Sequence, residues 1–167
     1  MESNKRFFED IYNANKQSIF LFALARTNSR EDALDITAEV FLSAWENIDG
    51  FKGQSSYRTW LFAICRHKVS DYYRKSYKEK EVFDFSYDID NYNETELEDN
   101  SDTKVINKFR FPDLLGKLKE AEKELILLKY MNNLNFSECA DVLRVSETNA
   151  RVMHHRIISK LKNSLIN

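Results

Sequence analysis

The sequence predicts an all-α protein of two small helical domains joined by a flexible acidic linker, and three observations predict it. Apolar residues recur at spacings of three and four along both ends of the 167-residue chain, the period of helices with one buried stripe. Only three Gly and one Pro are available for turns, too few for a fold built on hairpins. Between the two periodic blocks, Ser76 to Lys104 holds ten Asp or Glu against three Lys, with poor periodicity and many polar residues, the composition of a tether. The domains are accordingly expected at 1–77 and 109–167, with the linker at 78–108.

The formal net charge of −2 conceals a segregation. The linker stretch carries a net −7, and without it the chain has 22 basic and 17 acidic residues, a net of +5. Two basic blocks flank an acidic strap, which reads either as a solvated tether or as a mimic of nucleic acid against a basic surface. No apolar run approaches the roughly 20 residues that span a bilayer, and the start MESNKRFFEDIY lacks the apolar core of a signal peptide. No membrane insertion and a cytoplasmic location are expected. Cys65 and Cys139 are far apart, each in an apolar periodic segment, and read as reduced core residues.

The first helix is expected from about Lys5 to Thr27, with Phe7 or Phe8, Ile11, Ile19, Phe22 and Leu24 as its apolar contributors. Ser29 is the expected N-cap of a second helix from Arg30 to about Asp49, with Glu31 and Asp32 at the positive end of the dipole. Leu34, Ala38, Phe41, Trp45 and Ile48 form its expected buried stripe. Asp35, Glu39 and Glu46 lie on another face, either a solvated one or a docking face for a basic partner.

Gly50 and Gly53 bracket a loop, and Ser55 or Ser56 can cap a third helix through about Tyr77, with Leu61, Ile64, Cys65 and Tyr72 inside. From Phe51 to Lys75 there are six Lys or Arg, six aromatic rings and one acid, Asp71. Nothing acidic occurs between Gly50 and Ser70, so the cations lack local partners. Such a surface suits single-stranded nucleic acid, because cations attract phosphate and exposed rings stack on unpaired bases. The other reading of Trp60, Phe62, Tyr72 and Tyr73 is as core residues.

Beyond the linker, Phe111 to Leu118 and Glu120 to Met131 read as two helices with Leu114, Leu115, Leu118, Leu125, Leu128 and Met131 inward. Asn135 with Glu138 then forms a capping box, and Ser146 can cap the last helix. Ala140, Leu143, Val145, Ala150, Met153 and Ile157 have helix-turn-helix spacing: a small residue where helices cross, an apolar residue in the turn, then a stripe. Arg144 stands where Gly is usual, and a left-handed backbone there costs about 1 kcal/mol. The outer face of the last helix offers Glu147, Asn149, Arg151, His155 and Arg156, with Lys160 and Lys162 further along, and Ser146 at the cap is a further candidate for DNA contact. Its early residues can reach base edges and its later cations phosphates. His154 and His155 point about 100° apart and do not form a metal pair; no metal site and no cofactor is expected.

The segment FKGQSSYRTWLFAICR resembles the F-x-G-x-S-S-x-R-T-W-L-F-x-I-x-R stretch of bacterial RNA polymerase sigma factors of the extracytoplasmic-function class, and NFSECADVLRVSETNARVMHHR resembles their C-terminal helix-turn-helix. Both occur in order and at the expected separation. The resemblance implies a non-enzymatic initiation factor that binds core RNA polymerase and directs promoter-specific transcription by recognising and melting promoter DNA. Asp35, Glu39, Leu42 and Glu46 would dock on the beta-prime clamp helices. Phe51, Lys52, Gly53, Gln54, Ser55, Ser56, Tyr57, Arg58, Trp60, Arg66, His67, Lys68 and Arg74 would meet the minus-ten element, the loop capturing a flipped base. The second domain would read the minus-thirty-five element and meet the beta flap. An anti-sigma factor is an implied partner, and the family's linker runs near the RNA exit path. In this chain Ala38 replaces a common Gln, His67 a common Asn, and Met153 with His154 a basic and apolar pair. The alternatives are a stand-alone helix-turn-helix regulator and a nucleic-acid-processing enzyme.

Overall fold

The computed structural model describes residues 2–76 and 111–166, which fall in two compact units. The acidic linker expected at 78–108 lies outside these residues. Every described element is helical, with no strand among the described residues.

The first unit is a three-helix assembly: α1 (Glu2–Thr27), α2 (Arg30–Glu46), a 3₁₀ turn (Ile48–Gly50) and α3 (Tyr57–Ser76). The chain turns between α1 and α2 through Asn28, in the left-handed region at φ 51°, where Asn is tolerated. Ser29 then caps α2, its Oγ accepting from the Asp32 N–H at 3.3 Å, with Glu31 and Asp32 in the first turn. The 3₁₀ turn ends the second helix earlier than the expected Asp49, and Ser56 rather than Ser55 caps α3 by accepting from Thr59 N–H at 3.1 Å.

The core of this unit is Ile19, Phe22 and Ala23 of α1, Ala33, Val40, Phe41 and Ala44 of α2, and Leu61, Phe62, Cys65 and Val69 of α3. Phe22 and Phe62 meet edge to face at 5.5 Å, a favoured geometry. Phe62 is therefore core. The expected stripe of α2 is corrected: Leu34 and Trp45 are 50% and 43% exposed, and Ala38 is exposed. The buried side of α2 carries Ala33, Ile36, Val40, Phe41 and Ala44, and both α1 and α3 pack against the helix.

The second unit comprises α4 (Phe111–Gly116), α5 (Glu120–Ile126) with a π-helical turn (Leu127–Met131), α6 (Phe136–Leu143) and α7 (Glu147–Ile166). The π turn replaces the end of the regular helix expected to Met131, and Met131 is 39% exposed rather than inward. Asn135 and Glu138 form the reciprocal capping box at 2.8 and 2.9 Å, and Ser146 Oγ accepts from Asn149 N–H at 3.1 Å. Ala140 and Ala150 are packed in one cluster with Phe136, and Val145 covers it from the turn. Arg144 adopts φ 56° and ψ 44°, the left-handed conformation expected of this turn. Leu143, Met153, Ile157 and Leu161 complete the core with Leu125 to Leu128. Cys139 is buried like Cys65, and its burial pushes the thiol pKa up to about 12.

Candidate nucleic-acid interface

In the first unit, the loop between the 3₁₀ turn and α3 exposes Lys52, Gly53, Gln54 and Ser56, with Ser55 half-buried. Gly53 sits at φ 68° with open space around it, so backbone conformation and not crowding is what favours glycine there. Beside the loop stands a shelf of half-buried rings. Phe51 lies 4.2 Å from Tyr57 and 5.1 Å from Trp60 between centroids. Phe7 of α1, 44% exposed, joins it edge-on to Tyr57 at 5.2 Å. Sequence reading placed Phe7 only among core candidates, because its neighbour in the shelf is fifty residues away.

The cations of α3 spread around this shelf. The Arg58 guanidinium lies over the Phe62 ring at 5.6 Å, His67 is exposed and Arg66 is half-buried. Arg74 pairs with Asp71 one turn back. Lys68 reaches across to Glu39 of α2 at 3.5 Å. The expectation of cations without acidic partners is corrected at both: Asp71 of the same helix supplies a carboxylate to Arg74, and a different helix supplies one to Lys68. Tyr72 and Tyr73 also work internally: Tyr72 donates to Asp32 Oδ2 at 2.9 Å, and Tyr73 donates to the Arg26 carbonyl while its ring faces the buried Arg26 guanidinium.

The outward face of α2 is of another character. Leu34, Ala38, Leu42 and Trp45 follow one another along it, all exposed, with Leu42 at 58%. Asp35, Glu39 and Glu46 are also exposed and, at roughly 100° per residue, lie along one flank of that stripe. On the other flank Trp45 meets Phe8 at 5.1 Å, and Tyr12 meets Phe41 at 4.7 Å. This is an apolar stripe with an acidic border, suited to a partner that is apolar at its centre and basic at its edge.

In the second unit, Ser146, Glu147, His155, Arg156 and Lys160 are exposed and Asn149 and Arg151 half-buried. Glu147 Oε1 accepts from Arg151 at 2.7 and 3.2 Å, which fixes the guanidinium 4.6 Å over the Phe136 ring. Lys129 of the π turn stands over the same ring at 4.0 Å, a cation that sequence reading missed because Lys129, Phe136 and Arg151 come from three different elements. The buried Asn149 side-chain oxygen has no hydrogen-bond partner among the described residues. In this conformation the oxygen is covered, and an amide at the start of the last helix meets a base edge once its side chain turns outward. Lys160 is drawn to Glu122 of α5 at 3.3 Å, away from the group formed by Asn149 and Arg151. His154 is buried, with Nε2 2.6 Å from the Tyr130 hydroxyl, whereas His155 faces outward. Among the described residues, no group of three His, Cys, Asp or Glu is placed to hold a metal, and no helix is long and apolar enough to cross a membrane.

The sigma-70 region 2 family matches residues 11–79, and the sigma-70 region 4 family matches residues 108–161. The RNA polymerase sigma factor YlaC of Bacillus subtilis is 26% identical over 161 residues, covering 94% of this chain and 91% of that protein. The ECF RNA polymerase sigma factor SigX of the same organism is 22% identical, covering 95% and 83%. Among solved structures, the sigma factor RpoE of Bartonella quintana, crystallised with the anti-sigma factor NepR, shares the fold with a TM-score of 0.68 at 18% identity, over 96% of this chain and 97% of that one. Two matched regions in this order, carried on the two helical units just described, place the chain in the extracytoplasmic-function class of the sigma-70 family of RNA polymerase sigma factors.

Proposed function

We propose that the chain carries out its family's task, promoter-specific initiation with core RNA polymerase, through a division of labour among three surfaces. The outward face of α2, with Asp35, Glu39, Leu42 and Glu46 extended by Leu34 and Trp45, docks on the clamp helices of the polymerase. The loop from Phe51 to Tyr57 and the cations of α3 hold the displaced strand of the minus-ten element. Asn149, Arg151, His155 and Arg156 read and grip the minus-thirty-five duplex. The work is binding energy, as sigma factors are a non-enzymatic class of initiation factors. Unpairing costs a few kcal/mol per step, and stacking returns roughly 1–3 kcal/mol per base, so two or three held bases offset one or two opened steps, and the cations of α3 on phosphate add to this.

The observation that carries this reading is the exposed apolar stripe of α2 beside its acids. A solvated acidic face needs no Leu34, Leu42 and Trp45 on the same side; a docking face does. A stand-alone regulator would not need this face at all. The complex of RpoE with NepR supports an anti-sigma protein as a further partner, and the location proposed is the cytoplasm, where the polymerase works.

The test is transcription in vitro with purified core polymerase on promoters selected by the reconstituted holoenzyme from random duplexes. Asp35→Arg with Glu39→Arg is expected to weaken core binding by at least about 100-fold, the loss that close like-charge contacts produce, while the helical circular dichroism is unchanged. Retained core affinity would remove α2 as the docking face.

A further inference from the structure

The α2 docking face and the α3 strand-holding face share an ion pair. The two helices run antiparallel, and two polar contacts cross between them: Tyr72 to Asp32 at 2.9 Å and Lys68 to Glu39 at 3.5 Å. Asp32 and Glu39 are two turns apart, so both lie on the flank of α2 that borders α3. Glu39 remains 57% exposed and Lys68 28% exposed, so each is open to a second partner. The first of these belongs to the surface proposed for polymerase, the second to the surface proposed for the melted strand.

We propose that the Glu39–Lys68 ion pair couples the two binding events. In the free protein the Glu39 carboxylate holds the Lys68 ammonium against α2, where a DNA phosphate must compete with it. When a basic surface docks on α2, it supplies Glu39 with another cation, weakens its hold on Lys68, and leaves the ammonium to phosphate. DNA bound at Lys68 frees Glu39 in the same way. Linkage requires the two effects to be equal in size. An exposed pair of this kind supplies about two- to fivefold. The inference rests on the reading of α2 as the docking face.

The test uses the full chain without polymerase and a labelled oligothymidylate of about 16 nucleotides, the upper range of such a surface. Glu39→Gln is expected to raise affinity by about two- to fivefold beyond Asp35→Asn, which makes the same charge change on the outer face of α2. In a Lys68→Gln background that excess should vanish. In the reciprocal arm, Lys68→Gln should tighten core polymerase binding by a similar factor relative to Lys52→Gln. An excess that is absent, or that survives Lys68→Gln, overturns the coupling. Failure of the docking reading is separable, because the reversal of Asp35 and Glu39 would then leave core binding intact while the oligonucleotide arm still reports on the ion pair.

Discussion

The two units handle aromatic rings and charge in opposite ways. In the first, Phe51, Tyr57, Trp60 and Phe7 stand half-open beside a loop whose backbone is exposed at Gly53. In the second, Phe136 and His154 are each only 4% exposed, and Lys129 and Arg151 lie over the Phe136 ring. Rings turned outward serve a ligand that has lost its own stacking, which is an opened strand. Rings turned inward hold cations and amides at a fixed height, and the surface that remains is polar, as a duplex requires. One fold class thus presents two chemistries, chosen by which side of a helix carries the aromatic residue.

Five substitutions, one of them read as a titration, test this contrast. The largest expected effect is that of Tyr57→Ala on single-stranded DNA binding by the holoenzyme, a loss of about 1–3 kcal/mol by fluorescence anisotropy, with duplex binding at the minus-thirty-five element unchanged. A loss on both ligands would mean that the shelf is structural. Asn149→Ala should do the reverse, lowering discrimination at one base pair of the minus-thirty-five duplex by about 1–3 kcal/mol without touching single-strand affinity. A uniform loss across all sequences would reassign Asn149 to a phosphate.

The third prediction concerns the buried thiol. Burial chiefly, with Glu138 adding to it and Lys129 opposing, raises Cys139 from its usual 9.0 to about 12. A folded-state pKa above the unfolded one means that the unfolded chain loses its proton first. Stability of the second unit from this source is therefore intact below about pH 9 and falls by about 1.4 kcal/mol per pH unit above it. Urea unfolding of Cys139→Ala should lack this added slope between pH 9 and pH 11, whereas equal slopes in the two proteins would contradict the burial argument.

The smallest effects compare two left-handed positions, Gly53 at φ 68° and Arg144 at φ 56°. Arg144→Gly should raise the stability of the second unit by up to about 1 kcal/mol, and Gly53→Ala should cost the loop about as much. Thermal unfolding measures both. A destabilised Arg144→Gly would show that the arginine side chain contributes more than its backbone strain costs.

Local chemistry was legible in the sequence, and the choice between competing faces was not. Ser29, Ser146 and the Asn135–Glu138 box cap their helices as the residues alone indicate, because a cap depends on neighbours within three positions. The left-handed Arg144 and the packed Ala140 and Ala150 followed from helix-turn-helix spacing in the same way. On α2, however, Leu34, Ala38 and Trp45 fit a buried stripe as well as Ala33, Val40 and Ala44 do, and periodicity cannot say which of the two is covered. The covered one proved to be the second, with Ile36 and Phe41 beside it, and the first stays exposed as the face proposed for docking. Lys68 with Glu39, Phe7 with Tyr57 and Lys129 with Phe136 join distant elements, and only the fold brings them together. The roles proposed for individual site residues rest on that placement together with the family resemblance.

The chain is proposed to open DNA on its first unit while gripping closed duplex on its second. The direct measurement places 2-aminopurine in the minus-ten template strand of a selected duplex promoter, the strand that the ring shelf does not hold, and follows its fluorescence as reconstituted holoenzyme is added. Wild type should give a rise as the base unstacks, Tyr57→Ala a much smaller rise at equal promoter occupancy, and Asn149→Ala a normal rise once occupancy is restored by concentration. Equal rises from wild type and Tyr57→Ala at matched occupancy would contradict the account.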